Sequence, residues 1–180
     1  MLLVVDNGSI YTKQLTDFLS EKNISFEKYT PYILELNSLQ KYDSIILSGR
    51  RKNDKKINEV NSKIINFSIK NKKKLLGICY GAEILALTLG GTIRKTQSIQ
   101  KGNEIIEILK DDLITKNSIN VFESHAFEIS KLPNILTIIG KSNNCKYEII
   151  QHKEKLIFGT QFHPEMTSDG NDLIEKFCSL

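Results

Sequence analysis

The chain has 180 residues, 40% of them hydrophobic and 26% charged, which suits an ordinary globular protein of one domain over 1–180 with room for a proper core. Its net charge of +4 is carried almost wholly by lysine, since Arg50, Arg51 and Arg94 are the only arginines; with base-reading guanidiniums scarce and no basic–aromatic interleaving, nucleic acid is set aside as a partner class. The three cysteines, Cys79, Cys145 and Cys178, fit neither a disulfide framework nor a zinc-ligand spacing, so a reducing, cytoplasmic setting is expected, with no metal and no cofactor.

In chain order, Leu2-Leu3-Val4-Val5 reads as a buried strand and is too short, and lacks the basic flank, for a secretory leader. Tyr11, Leu15, Phe18 and Leu19 then recur at helical spacing. Residues 25–29 and 44–48 are the next strands, and Ile57, Val60, Ile64, Ile65 and Phe67 mark a helix that ends near Asn71. Lys72-Lys73-Lys74 precedes an apolar run over 75–93, about as long as a membrane span. That run contains Glu83 and the glycines Gly77, Gly81, Gly90 and Gly91. A charge in mid-bilayer is costly, and a strand over 75–78, a tight turn and a helix to Leu89 explain the same residues without a membrane.

The second part changes character. Short extended runs at 104–109, 118–123, 135–140, 146–151 and 156–161 have few helices between them, and residues 169–177 close the chain as a helix with Ser168 as its N-cap. Strand–helix alternation followed by such runs predicts an α/β fold: a mostly parallel central sheet with helices on both faces, a flavodoxin-like three-layer sandwich, and a small antiparallel extension.

The sharpest local feature is Gly77-Ile78-Cys79-Tyr80-Gly81, where a buried strand runs into a cysteine and a helix starts at once. Gly-x-Cys-x-Gly is the cysteine form of a nucleophile elbow, whose crowded turn needs small residues two before and two after. The helix N-terminus favours a thiolate at Cys79, and the Tyr80 N–H is placed to stabilise an oxyanion. A thiolate nucleophile needs a base. Of the histidines His125, His152 and His163, the last stands in Gln161-Phe162-His163-Pro164-Glu165 at the end of a strand. There Glu165 can bond one ring nitrogen and aim the other at sulfur, the logic of a catalytic triad. The bland alternatives are a packed cysteine and a loop histidine. Cys145 and Cys178 are expected to be packing residues, His152 in its Lys-rich turn to be solvated, and His125 to lie in a loop.

These two motifs together resemble the class I, triad-type glutamine amidotransferases. Asp6-Asn7-Gly8-Ser9 with Tyr11-Thr12, Leu47-Ser48-Gly49, and Glu123-Ser124-His125 with Phe127-Glu128-Ile129 extend the likeness over nearly the whole chain, in the family's order, and most resemble its archaeal separate-subunit GMP synthase glutaminases. The resemblance implies Cys79 as nucleophile, His163 as base and Glu165 as its orienter. It also implies an oxyanion hole from the N–H groups of Gly49 and Tyr80, and glutamine held through Glu83, Ser124 and His125. The sequence departs from the family where Glu83 replaces a glutamine and Arg50 replaces the second glycine of Gly-Gly. An ionised Glu83 would oppose thiolate formation and repel the substrate carboxylate, so Glu83 is either protonated or turned away, or the substrate is not free glutamine. Arg50 either faces solvent or offsets Glu83, and the positive run over 50–56 is either a solvated loop or a docking surface for an acidic partner.

The chain has no Gly-x-x-x-x-Gly-Lys-Ser/Thr loop and no spare length for an ATP-using domain. An amidotransferase of this length therefore implies a separate ATP-dependent synthase subunit that takes the ammonia. The competing readings are a stand-alone γ-glutamyl hydrolase, which Glu83 would suit by binding a cationic amine, and a non-catalytic regulatory module that has lost glutamine affinity through Glu83 and Arg50.

Overall fold

The computed structural model describes residues 1–110, 113 and 116–180. Its first strands are runs of apolar residues buried on both faces: β1 (Leu2–Val5), β3 (Ser44–Leu47) and β4 (Lys74–Ile78), with β2 (Phe26–Tyr29) at the edge. The remaining strands are β5 (Thr92–Ile108), β6 (Ser118–Lys131), β7 (Leu136–Lys141), β8 (Ile149–His152) and β9 (Ile157–Thr160). All nine form one sheet in the order β2-β1-β3-β4-β9-β8-β7-β5-β6. The first five in that order are parallel, and from β9 onward the pairing is antiparallel. The expected α/β sandwich is therefore built on a mixed sheet, and β9 is the seam between its two parts.

Side chains alternate across a strand, so each buried strand feeds two cores. On one face Val4, Ile46, Leu76, Ile78 and Phe158 pack against helices α1 (Thr12–Glu21) and α4 (Ser168–Ser179) through Leu15, Leu19, Ile174 and Phe177. On the other, Val5, Ile45, Leu47, Leu75 and Ile157 meet α2 (Lys55–Lys70) and α3 (Tyr80–Thr88) through Ile57, Ile64, Ile65, Ile84 and Leu85. Burying about 150–250 Å² per aromatic ring, the edge-on Phe158–Phe177 pair (centroids 6.3 Å apart) anchors α4 to β9. The apolar run over 75–93 resolves into β4, a turn and nine-residue α3, and no described helix is long and apolar enough to cross a membrane.

Several expectations change. β5 begins at Thr92, and β6 runs on to Lys131. These strands pair with each other over most of their length, with Gln100 opposite His125 and Lys101 opposite Ser124, so Ser124 and His125 are strand residues rather than a loop. The N-cap of α4 is Thr167, not Ser168: its hydroxyl accepts the Gly170 N–H at 3.2 Å. His152 is 1% exposed, not solvated, because the turn folds over it and the Glu154 N–H donates to its Nδ1 at 3.0 Å; burial lowers its pKa. Tyr11 precedes α1 and is half-buried rather than part of that helix's core. Cys145 is buried and Cys178 packs against the core edge, as expected of both.

Candidate active site

β4 and β9 lie side by side in parallel, with Ile78 opposite Thr160. Both chains leave the sheet at the same end, one into Cys79 and the other towards His163. The Cys79 N–H is tied to the Thr160 carbonyl at 2.7 Å, which locks the turn to the neighbouring strand. Cys79 sits at φ +50° and ψ −105°, in a region where a side chain is strained. The flanking glycines make the bend fit. A Cβ on Gly81 would stand 2.5 Å from the Leu47 carbonyl oxygen, and one on Gly77 would collide with the Gly81 backbone. Both are contacts no side chain can make, which is the crowding that Gly-x-Cys-x-Gly implies.

His163 is held from two sides. Its N–H donates to the Phe122 carbonyl of β6 at 2.9 Å, and its Nδ1–H donates to Glu165 Oε1 at 2.8 Å. Their side chains are 4% and 1% exposed. A 3-10 turn, Pro164–Met166, starts directly after the histidine and folds the carboxylate back onto the ring. With Nδ1 committed to Glu165, Nε2 is the nitrogen free to exchange a proton. Tyr11 packs against the ring at a 60° tilt, with centroids 4.5 Å apart, and reaches across to donate to Ser124 Oγ at 3.1 Å. Gly49 lies against the same ring: a Cβ there would be 2.9 Å from His163 Cε1. The fold thus gathers Gly49, Tyr11, Ser124 and His163 at the C-terminal end of the parallel strands, where open α/β sheets bind ligands.

A pocket of about 250 Å³ opens beside them, lined by Cys79, Tyr80, Glu83, Arg50, Ser124 and His125 among others. Glu83 lines this pocket and is 6% exposed, so it is not turned away from it; Gln161 Nε2 donates to its Oε1 at 3.4 Å. Burial raises the Glu83 pKa, with Gln161 and Arg50 pulling the other way. Arg50 does not face solvent freely. Its guanidinium lies 3.9 Å from the centroid of the Tyr80 ring, and it donates to Asn58 Oδ1, which also accepts the Tyr80 hydroxyl at 2.9 Å. Neither Gly49 nor Arg50 has a positive φ, so the arginine occupies the second-glycine position without backbone strain.

Burial also pushes the Cys79 thiol well up, Glu83 adds to the rise, and the Tyr80 N–H aimed at sulfur counters only part of it. At Cys79 burial outweighs the helix N-terminus, so the shift runs against the thiolate expected of this turn. A sulfur that is to act as a nucleophile must first give up its proton.

Behind Ser124 lies a buried polar group, of which the sequence motifs name Glu123 and His125 but not Glu148. Glu123, His125 and Glu148 are each at most 5% exposed. His125 Nδ1–H donates to the Phe127 carbonyl at 2.8 Å, and its Nε2 is 3.0 Å from Glu123 Oε2, though out of line for a formed hydrogen bond. For His125 burial works downward, but the Glu123 carboxylate and the Phe127 carbonyl outweigh it and raise the pKa. Burial, then repulsion from Glu123, drives Glu148 up to about 9. The signal is present in the sequence as a period of two. Ile119, Val121, Glu123 and His125 occupy one buried face of β6, so the charged pair continues an apolar stripe.

The profile of the family described as "Glutamine amidotransferase class-I" matches residues 3–179 of this chain. The chain belongs to the class-I glutamine amidotransferases. Among its relatives, a glutamine-hydrolyzing GMP synthase subunit of Methanocaldococcus jannaschii is 30% identical over 100% of this chain and 97% of its own length. The glutamine-hydrolyzing GMP synthase of Thermosipho melanesiensis is 31% identical over 99% of this chain and 35% of its own length. A crystal structure of a GMP synthase subunit from Thermoplasma acidophilum superposes with a TM-score of 0.88 at 28% identity, covering 99% of this chain and 92% of that one.

Proposed function

We propose that the chain hydrolyses glutamine to glutamate and ammonia through Cys79, His163 and Glu165, and passes the ammonia to a separate ATP-dependent GMP synthase subunit in the cytoplasm. The Cys79 sulfur attacks the side-chain carboxamide carbon while His163 Nε2 takes the thiol proton. The N–H groups of Gly49 and Tyr80 stabilise the oxyanion of the tetrahedral intermediate. Collapse breaks the C–N bond, His163 returns the proton to the leaving nitrogen, and ammonia departs from a γ-glutamyl thioester. Water, deprotonated by His163, then attacks the thioester and releases glutamate and the thiol. Glu165 keeps the imidazole in the tautomer that accepts at Nε2 throughout. Tyr11 holds the ring plane and Ser124 together, so the base and the substrate-binding strand move as one unit.

In the pocket, Glu83 stands where an amide side chain would hold glutamine; an ionised carboxylate there opposes the substrate's own carboxylate, and burial, which raises the Glu83 pKa, lessens that opposition. Ammonia protonates in water at neutral pH, which is why the acceptor subunit must cover the site. The separate GMP synthase subunits of similar length among its relatives favour this division of labour. The observation that carries the reading is the strained Cys79 at φ +50°, on the strand next to the one that delivers the His163–Glu165 pair, 2.8 Å apart. The test is ammonia release from glutamine by wild type and Cys79→Ala, with and without the synthase subunit. Release by wild type that rises with the partner and vanishes in the variant supports it; equal rates in both proteins overturn it.

A further inference from the structure

The peptide on which the Gly49 oxyanion donor depends has its direction set elsewhere. A peptide unit is planar and trans, so its N–H points opposite to its C=O. The carbonyl paired with the Gly49 N–H is that of Ser48, and it accepts the Asn7 Nδ2–H at 2.9 Å. The Asn7 backbone N–H donates to Ser48 Oγ at 2.9 Å, and that hydroxyl donates to the Gly49 carbonyl at 2.9 Å. Both peptides flanking the Gly49 Cα are thus pinned by their carbonyls, one directly by Asn7 and one through Ser48. The Gly49 N–H is turned away from Asn7, and among the described residues no acceptor takes it.

The Asn7 amide is itself locked. Asn61 Nδ2 donates to Asn7 Oδ1 at 2.7 Å, Asn7 Nδ2 lies 3.3 Å from Asn61 Oδ1, and Asn61 Nδ2 also reaches the Ile57 carbonyl at 2.8 Å. Asn7, Ser48 and Asn61 are 3%, 1% and 0% exposed. Three polar residues in a dry layer between β1, β3 and α2 are costly unless each is satisfied. Asn61 even interrupts the apolar face that α2 presents with Ile57, Val60, Ile64 and Ile65. A hydrophobic residue would serve packing better, so the amide pair needs a reason beyond stability.

We infer that Asn7, locked by Asn61, is a positioning residue for the oxyanion hole: it fixes the Ser48–Gly49 peptide so that the Gly49 N–H is preset for the tetrahedral intermediate. The inference deepens the proposed function and rests on its use of Gly49. It also accounts for Arg50 in place of a second glycine. Where the carbonyls are fixed from behind, the loop does not need the freedom of a Gly-Gly pair.

The test uses Asn7→Asp, which keeps the size of the side chain and the acceptor for Asn61 but removes the donor to Ser48. Two rates are measured on the chain with its synthase subunit: glutamine hydrolysis, and alkylation of Cys79 by iodoacetamide. Alkylation forms an S–C bond and expels iodide without passing through a carbonyl oxyanion, so it reports the thiol and base alone. We expect kcat to fall about 10- to 100-fold, below the 10²–10³-fold cost of deleting an oxyanion donor outright, with KM and the alkylation rate close to wild type. Should Asn7→Asp not fold, Asn61→Ser, which leaves the Asn7 amide in place but unlocked, is expected to lose about 3- to 10-fold in kcat with the same pattern. An unchanged kcat, or alkylation falling in step with kcat, would overturn the inference. Hydrolysis that survives Cys79→Ala would instead defeat the underlying reading, so the two failures are told apart.

Discussion

The parallel and antiparallel halves of the sheet bring side chains to the same site by different means. In the parallel half, β1, β3 and β9 are buried throughout and β4 from Leu75 onward, and what matters is where each strand stops. Ser48-Gly49 follows β3, Cys79 follows β4, and His163 comes three residues after β9. In the antiparallel half, the strand itself carries the polar groups: the buried face of β6 passes from Ile119 and Val121 to Glu123 and His125. The first half sets backbone geometry, and errors there are steric. The second sets charge, and errors there depend on pH.

The largest expected effects lie at the strand ends of the parallel half. Cys79→Ala should lower kcat at least about 10⁴-fold, as the loss of a covalent nucleophile does, with the fold intact by circular dichroism. Gly81→Ala places a Cβ 2.5 Å from the Leu47 carbonyl oxygen. Chemical denaturation should show it about 1–3 kcal/mol less stable, the usual cost of overpacking. Because Cys79 is held at φ +50°, Cys79→Gly should be about 1 kcal/mol more stable than Cys79→Ala. Equal stabilities for those two variants would mean that the turn stores no strain.

The antiparallel half should answer to pH instead. Glu148 has its pKa raised to about 9 in the folded chain, by burial and then by Glu123. The folded state therefore binds more protons than the unfolded state between the ordinary carboxylate value and about pH 9. Stability from this group is fully present below that ordinary value and declines as pH rises through the window. The melting temperature should fall from about pH 5 to about pH 9, and Glu148→Gln should flatten the fall. A variant as pH-sensitive as wild type would show that the buried carboxylate is not the cause. The smallest effect belongs to Glu83, which meets Gln161, whose backbone N–H in turn donates to the Glu148 carbonyl. Glu83→Gln should lower the KM for glutamine about 2- to 10-fold, the worth of one hydrogen bond; an unchanged or raised KM would show that the carboxylate does not hinder binding.

The same contrast decides how much can be read from the sequence. The Cys79 turn and the His163–Glu165 pair are legible because their turns leave local marks: small residues on either side of the cysteine, and a proline between the histidine and the carboxylate. Of the parallel strands, β1, β3 and β4 are legible as short apolar runs, whereas edge strand β2 is not one. β5 is legible only at its end, where 104–109 reads as an extended run; the stretch before it is exposed or half-exposed and carries no apolar run. Its pairing with β6 is a tertiary event, and that pairing makes Ser124 and His125 strand residues. His152 misleads because the lysines beside it suggest a solvated turn, whereas the ring is tucked beneath. Tyr11 fits a helical apolar pattern so well that its contacts with His163 and Ser124 stay hidden. Asn7 and Asn61 lie 54 positions apart and meet only in the folded chain.

The central claim, a covalent γ-glutamyl thioester on Cys79, is tested most directly by adding hydroxylamine to the chain with glutamine and its synthase subunit. Hydroxylamine intercepts a thioester in competition with water, so wild type should divert product from glutamate to γ-glutamyl hydroxamate in proportion to the amine, and Cys79→Ala should form none. Glutamate as the sole product at saturating hydroxylamine, or hydroxamate formed equally by Cys79→Ala, would contradict it.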